Sequence, residues 1–167
     1  MALTPHGLSF DVLMAYTAGE TRYWYDLFAE HPGALDVEIG EGRMGKIRGL
    51  VLHIFAVELR YAERLLGEEA SSYESFSAES LDDLFGIFGR GRDKLGRFVE
   101  RATDDELRAV LAFETVSAGT VRATKRTLVG HALLHGIRHW AQIAMALRRA
   151  GIGTQWPHDL IFSDAVQ

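Results

Sequence analysis

Four stretches of this chain repeat apolar residues every three or four positions, the period that lines one face of an α-helix. The first holds Phe10, Leu13, Met14, Tyr16, Tyr23, Trp24, Leu27 and Phe28. Thr4-Pro5 suits its start, with a hydroxyl at the N-cap and proline at the first helical position. His31-Pro32-Gly33 stops it after about Glu30, leaving His31 as a solvated C-terminal residue. The second helix runs from about Met44 to Leu66 on a stripe of Ile47, Leu50, Val51, Ile54, Val57, Tyr61 and Leu65. The third spans about Leu81 to Arg101 behind Ser80, in a capping arrangement with Asp83 where Glu is usual. Gly86, Gly89, Gly91 and Gly96 weaken it, each by up to ~1 kcal/mol against Ala, so packing has to hold it. The fourth covers about Ala123 to Ala150 and stops at Gly151.

The connections carry information too. Residues 33–45 place four glycines among acidic residues, with a short extended piece at Leu35–Ile39. A loop of this length predicts a crossover rather than a tight turn between neighbours. Residues 67–80 are polar and turn-rich. From Thr103 to Arg122 the residues are β-prone: Leu107, Val110, Leu111, Phe113, Thr115 and Val116 precede a turn at Ser117-Ala-Gly119-Thr120. A small hairpin is expected there. In the tail, Trp156, Leu160, Ile161 and Phe162 are expected to fold back, and His158 to sit at the surface. The predicted class is all-α: one domain over residues 1–167, a four-helix bundle with a crossover connection and a small hairpin before the last helix.

Composition narrows the partners. Apolar content of 47% suits a globular core. Net charge is −5, and no basic run exceeds Lys125-Arg126 or Arg148-Arg149, which argues against a nucleic-acid partner. Gly89-Arg-Gly-Arg92 lacks the preceding strand and the lysine of a phosphate loop. There is no cysteine, so disulfides, thiolate ligands and cysteine nucleophiles are excluded. No signal-like leader and no apolar run near ~20 residues is present, so a cytoplasmic protein off the membrane is expected.

The candidate chemistry lies in the last helix. His131, His135 and His139 follow one another at intervals of four. Each step advances ~1.1 turns and ~6 Å, so the imidazoles form one ridge. Two histidines a turn apart can reach one ion, as in H-E-x-x-H enzymes, although position 136 here is Gly. A tight site needs a further ligand from another helix, and His53 on the apolar face of the second helix is the best candidate. A lone histidine on such a face is more often a hydrogen-bonded core residue. Three in register change the balance, and spacing leaves open which pair of the ridge binds. Glu58 is either a carboxylate orienting a ligand histidine or a surface partner of Arg60, Arg64 or Arg97.

The run His131-Ala-Leu-Leu-His135-Gly-Ile-Arg-His139-Trp-Ala-Gln142, followed by Leu147-Arg148 and Gly151, resembles the last-helix signature of the DinB-like superfamily. Val51-Leu-His53-Ile with Glu58, and Pro157-His-Asp159-Leu160, are similar to two further family segments. The resemblance covers essentially the whole chain. It implies a crossover four-helix bundle, frequent homodimers, and a divalent metal held by His53, His135 and His139. His131 then neighbours the site as a proton carrier, a substrate contact or a plain cavity-lining residue. Leu134, Arg138 and Trp140 depart from the family's Asn, His and Arg, which touches substrate contacts rather than ligands. Three neutral imidazoles would leave Zn²⁺ or Ni²⁺ with open positions. Two readings follow. One is a metal-dependent thiol S-transferase or hydrolase acting on a small molecule such as a low-molecular-weight thiol, with His131, Glu58 and Gln142 assisting. The other is a non-catalytic, stress-related metal-binding dimer. Metal affinity is expected to fall below about pH 6, where free imidazole protonates.

Overall fold

The structure, a computed structural model, describes residues 7–115 and 119–166. The expected helix start at Thr4-Pro5 and part of the turn at Ser117 lie outside them. Helix α1 (Phe10–Glu30) begins instead at Ser9, whose hydroxyl oxygen accepts from the Val12 N–H at 3.2 Å. Helix α2 spans Ile47–Leu65 and α3 spans Leu81–Arg101. The Ser80 hydroxyl caps Asp83 N–H while the Asp83 carboxylate caps Ser80 N–H, so Asp serves the box as Glu would. A short α4 (Asp104–Arg108) precedes strands β1 (Val110–Thr115) and β2 (Gly119–Thr124), and α5 (Lys125–Arg149) follows.

The strands pair antiparallel from Val110↔Thr124 to Thr115↔Gly119, as the hairpin expectation required. Leu107 belongs to α4 rather than to the extended segment. Thr103 Oγ1 accepts from Glu106 N–H, and three acidic residues occupy the first turn. Leu35–Ile39 is not a strand either. Leu35 sits in a 3-10 turn (Pro32–Asp36), and only Glu38 bridges, to Lys46.

Helix α2 packs against α3 and α5, and α1 packs against the same two. The first two helices therefore occupy opposite corners, and residues 31–46 carry the chain across the bundle, the expected crossover. Two glycines permit close approach. A Cβ on Gly91 would stand 3.2 Å from the Leu59 backbone, which is why the weak helix α3 tolerates that glycine. A Cβ on Gly49 would stand 2.1 Å from the Arg43 carbonyl oxygen, so the 3-10 turn Gly42–Met44 lies directly on α2.

The core centres on Trp24, Phe28, Ile54, Phe55 and Trp140, with a second cluster around Leu95, Phe98, Val129 and Leu133. Trp24 and Trp140 stack at 5.0 Å and 12°. His158 is not a plain surface residue. Its ring stacks on Trp24, and its Nδ1–H donates to Glu20 at 2.9 Å. Glu20 is buried and so needs donors; Trp156 Nε1–H supplies the second at 2.9 Å. Trp156 thus folds back as expected, whereas Ile161 and Phe162 remain exposed. Among the described residues no helix is long and apolar enough to cross a membrane.

Candidate metal centre

The α2–α5 contact that builds the core also delivers the histidines. A Cβ on Gly136 would lie 3.2 Å from Ile54 Cγ2, so α5 approaches α2 closely one residue beyond His53 and one beyond His135. This explains the missing Glu of the H-E-x-x-H pattern: position 136 faces a helix and has no room for a long side chain. His53, His135 and His139 converge there. One ring nitrogen from each lies within 4.8 Å of the others. The His53 centroid is 5.0 Å from that of His135 and 5.1 Å from that of His139, and the latter two are 4.5 Å apart.

The Nε2 atoms of His135 and His139 are 3.1 Å apart. Two imidazole nitrogens each ~2.0–2.1 Å from one ion sit about 2.9–3.4 Å apart as the angle opens from a right angle to tetrahedral. This separation therefore fits a shared ion. The tautomers fit too. His139 Nδ1–H donates to Gln142 Oε1 at 2.6 Å, which leaves its Nε2 lone pair directed at His135. His53 Nδ1 lies 3.4 Å from the Tyr73 hydroxyl. His135 Nδ1 is buried and has no hydrogen-bond partner among the described residues.

Charge state favours ligation. Burial, then His139 and Arg43, lowers the His53 pKa to about 4. Burial, then His139, His53, His131 and Arg138, lowers that of His135 to about 3. Both imidazoles are neutral at pH 7, as metal binding demands. Proton competition at these two ligands thus begins well below the range expected from free imidazole. The metal-free fold should also lose stability as pH falls from 6.5 toward about 3. In that window the unfolded chain takes up protons that the folded sites refuse. Urea unfolding of metal-free protein at pH 7 and pH 5 should show a larger drop in wild type than in His135→Gln; equal drops would contradict it.

The remaining sequence candidates divide. Gln142 joins the site through His139. His131 stands beside it, its ring 5.4 Å from His135 and 5.3 Å from Tyr61. His131 as a residue is exposed, yet desolvation of its ring lowers its pKa, and Arg138 adds to this. Glu58 has another partner. It is buried, and Arg92 grips it at 2.7 Å through Nε and 3.0 Å through Nη2. It is neither a surface residue paired with Arg60, Arg64 or Arg97 nor hydrogen-bonded to a ligand histidine. Burial pushes its carboxyl pKa up, with Arg92 opposing. Arg138 and Leu134 are exposed, and Trp140 is committed to the core. Tyr73 is a site residue that sequence reasoning missed. It lies in a 3-10 turn (Tyr73–Ser75) of the polar connection, with no periodicity to mark it.

A helical bundle with a three-histidine group that could hold a metal ion is thus the class that fold and site define. The chain belongs to the DinB family, whose model matches residues 6–163. No curated protein matches it.

Proposed function

We propose that the protein is a metal-dependent enzyme of the thiol S-transferase or hydrolase type, with Zn²⁺ or Ni²⁺ held by His53, His135 and His139. The observation that carries this reading is that His139, one of the three converging imidazoles, opens onto a cleft, while His53 and His135 are half-buried beside it. His139 and Gln142 line that cleft, of about 810 Å³, with Val37, Met44, Leu50 and Met145. Met44 and Met145 are 42% and 56% exposed, so apolar surface is available to a small molecule next to the ligands.

A divalent cation held by three neutral imidazoles supplies Lewis-acid chemistry, drawing a coordinated thiol or water toward its deprotonated, nucleophilic form. Since the chain has no cysteine, any thiol arrives as a small molecule. Gln142 fixes the His139 tautomer. Burial keeps His53 and His135 unprotonated. His131, exposed beside His135, is placed to exchange a proton with solvent. Glu58 takes no part, because it is buried in an ion pair with Arg92, whose Nη2–H donates to its Oε2. A cytoplasmic homodimer is the working state that goes with this proposal.

Elemental analysis of untagged protein, followed by Co²⁺ substitution and titration with 2-mercaptoethanol, tests it. A stoichiometric metal and a thiol-dependent change in the visible spectrum are expected. A bound metal whose spectrum no thiol alters would indicate a closed site and favour the non-catalytic alternative.

A further inference from the structure

We infer that Arg43, Arg60 and Tyr73 form an oxyanion-binding subsite beside His53, so that the molecule taken by the metal centre carries a carboxylate or phosphate group. This rests on the proposal that the three histidines form a binding centre, and it adds the substrate's charge.

The Tyr73 ring runs parallel to that of His53, with centroids 6.5 Å apart and an interplanar angle of 9°. The Arg43 guanidinium carbon lies 4.4 Å from the Tyr73 centroid and that of Arg60 4.7 Å. Two like charges thus share one ring next to a ligand histidine. Neither has an acidic partner among the described residues. Arg60 donates to the Ser71 carbonyl at 2.8 Å, a neutral acceptor, and Arg43 makes no polar contact there. The neighbouring carboxylate, Glu63, is occupied by the backbone N–H and hydroxyl of Ser71 at 2.8 and 2.7 Å. Arg64 lies apart from them, its guanidinium over the Tyr61 and Phe113 rings and donating to the Arg60 carbonyl at 3.2 Å.

In a chain of net charge −5, carboxylates are plentiful, yet among the described residues none pairs with Arg43 or Arg60. Cation–π contact alone does not require two guanidiniums left uncompensated at the edge of a site. Guanidinium forks match carboxylate and phosphate oxygens. Arg60 and Tyr73 are half-buried, and Arg43 is exposed to an incoming anion. The backbone is shaped to deliver Arg43. Gly42 takes φ +70°, and the missing Cβ of Gly49 lets the Gly42–Met44 turn rest on α2. Met44, the next residue of that turn, lines the apolar cleft. One turn therefore presents a cation and an apolar surface on either hand of the histidines. The ligand expected is amphipathic: an apolar body, a metal-seeking group, and an oxyanion.

Two experiments test this. Metal-free protein is titrated calorimetrically with inorganic phosphate and with succinate. Saturable heat in wild type that is lost in Arg43→Gln/Arg60→Gln supports the subsite, and the stronger of the two ligands names the anion. No saturable heat with either anion, or heat unchanged in the double variant, overturns it. Co²⁺-loaded protein is then titrated with 3-mercaptopropionate and 2-mercaptoethanol. A preference of about tenfold or more for the charged thiol is expected, since a charge-assisted hydrogen bond contributes about 1.5–3 kcal/mol. It should vanish in Arg43→Gln, persist partly in Arg43→Lys, and leave 2-mercaptoethanol binding unaltered. An equal preference in Arg43→Gln overturns the proposal. If neither thiol alters the spectrum, the reading of an open, thiol-accepting metal site fails, and the metal-free titration still decides the subsite.

Discussion

His139→Ala should lose its stoichiometric metal, with affinity falling by more than about 100-fold. Removing a group that merely orients a ligand typically costs 10–100-fold, and His139 is itself proposed as a ligand. His139 Nε2 lies 3.1 Å from His135 Nε2, so its loss leaves only two imidazoles at the shared point. The helix should survive. His139 is half-buried within α5, and alanine is the best helix former. Gln142→Ala offers the graded comparison: it removes the acceptor that holds His139 and should weaken binding by about 10–100-fold without abolishing it. Equilibrium dialysis with elemental analysis, alongside far-UV circular dichroism, measures both. Full metal occupancy in His139→Ala would show that the ion sits elsewhere.

Arg92→Leu should be strongly destabilising, by about 3–5 kcal/mol. Glu58 is 4% exposed, and Arg92 is its only charged partner among the described residues. Removing the guanidinium strands a buried carboxylate. It also cuts the bond from Arg92 Nη1 to the Met14 carbonyl at 3.1 Å, which ties α3 to α1. Stability follows from urea unfolding. The double variant Arg92→Leu/Glu58→Met should recover most of the loss, because an apolar pair of similar volume is often neutral or better than a buried ion pair. A loss under about 1 kcal/mol in the single variant, or no recovery in the double, would show that solvent reaches Glu58 after all.

These two expectations differ in how far sequence reading could reach them. The ridge of His131, His135 and His139 is local: a helix of fixed pitch turns a spacing of four into a shared face, wherever that helix lies. The bounds of α3 are local as well, because Ser80, Asp83 and the apolar period all act within a few residues of one another. The short α4 also carried a local signal, Thr103 three residues before Glu106, which the β-prone residues around it obscured. The apolar face of the second helix pointed to His53, and the family pattern then chose the lower pair of the ridge, a choice that spacing alone left open.

The pairings that cross the bundle had no such signal. Arg92 meets Glu58 across 34 residues, and His158 meets Glu20 across 138. Tyr73 reaches His53 from a polar connection, and Gly136 is required by a contact with Ile54 on another helix. By itself, then, the order of residues determined the helices, their apolar faces, the hairpin and the histidine ridge, because each follows from interactions within one or two turns. Which charges are buried together, which ring nitrogens face one another and which arginines meet over Tyr73 were decided only when the segments packed. Those choices depend on distances between segments far apart in the chain, and local periodicity does not encode them.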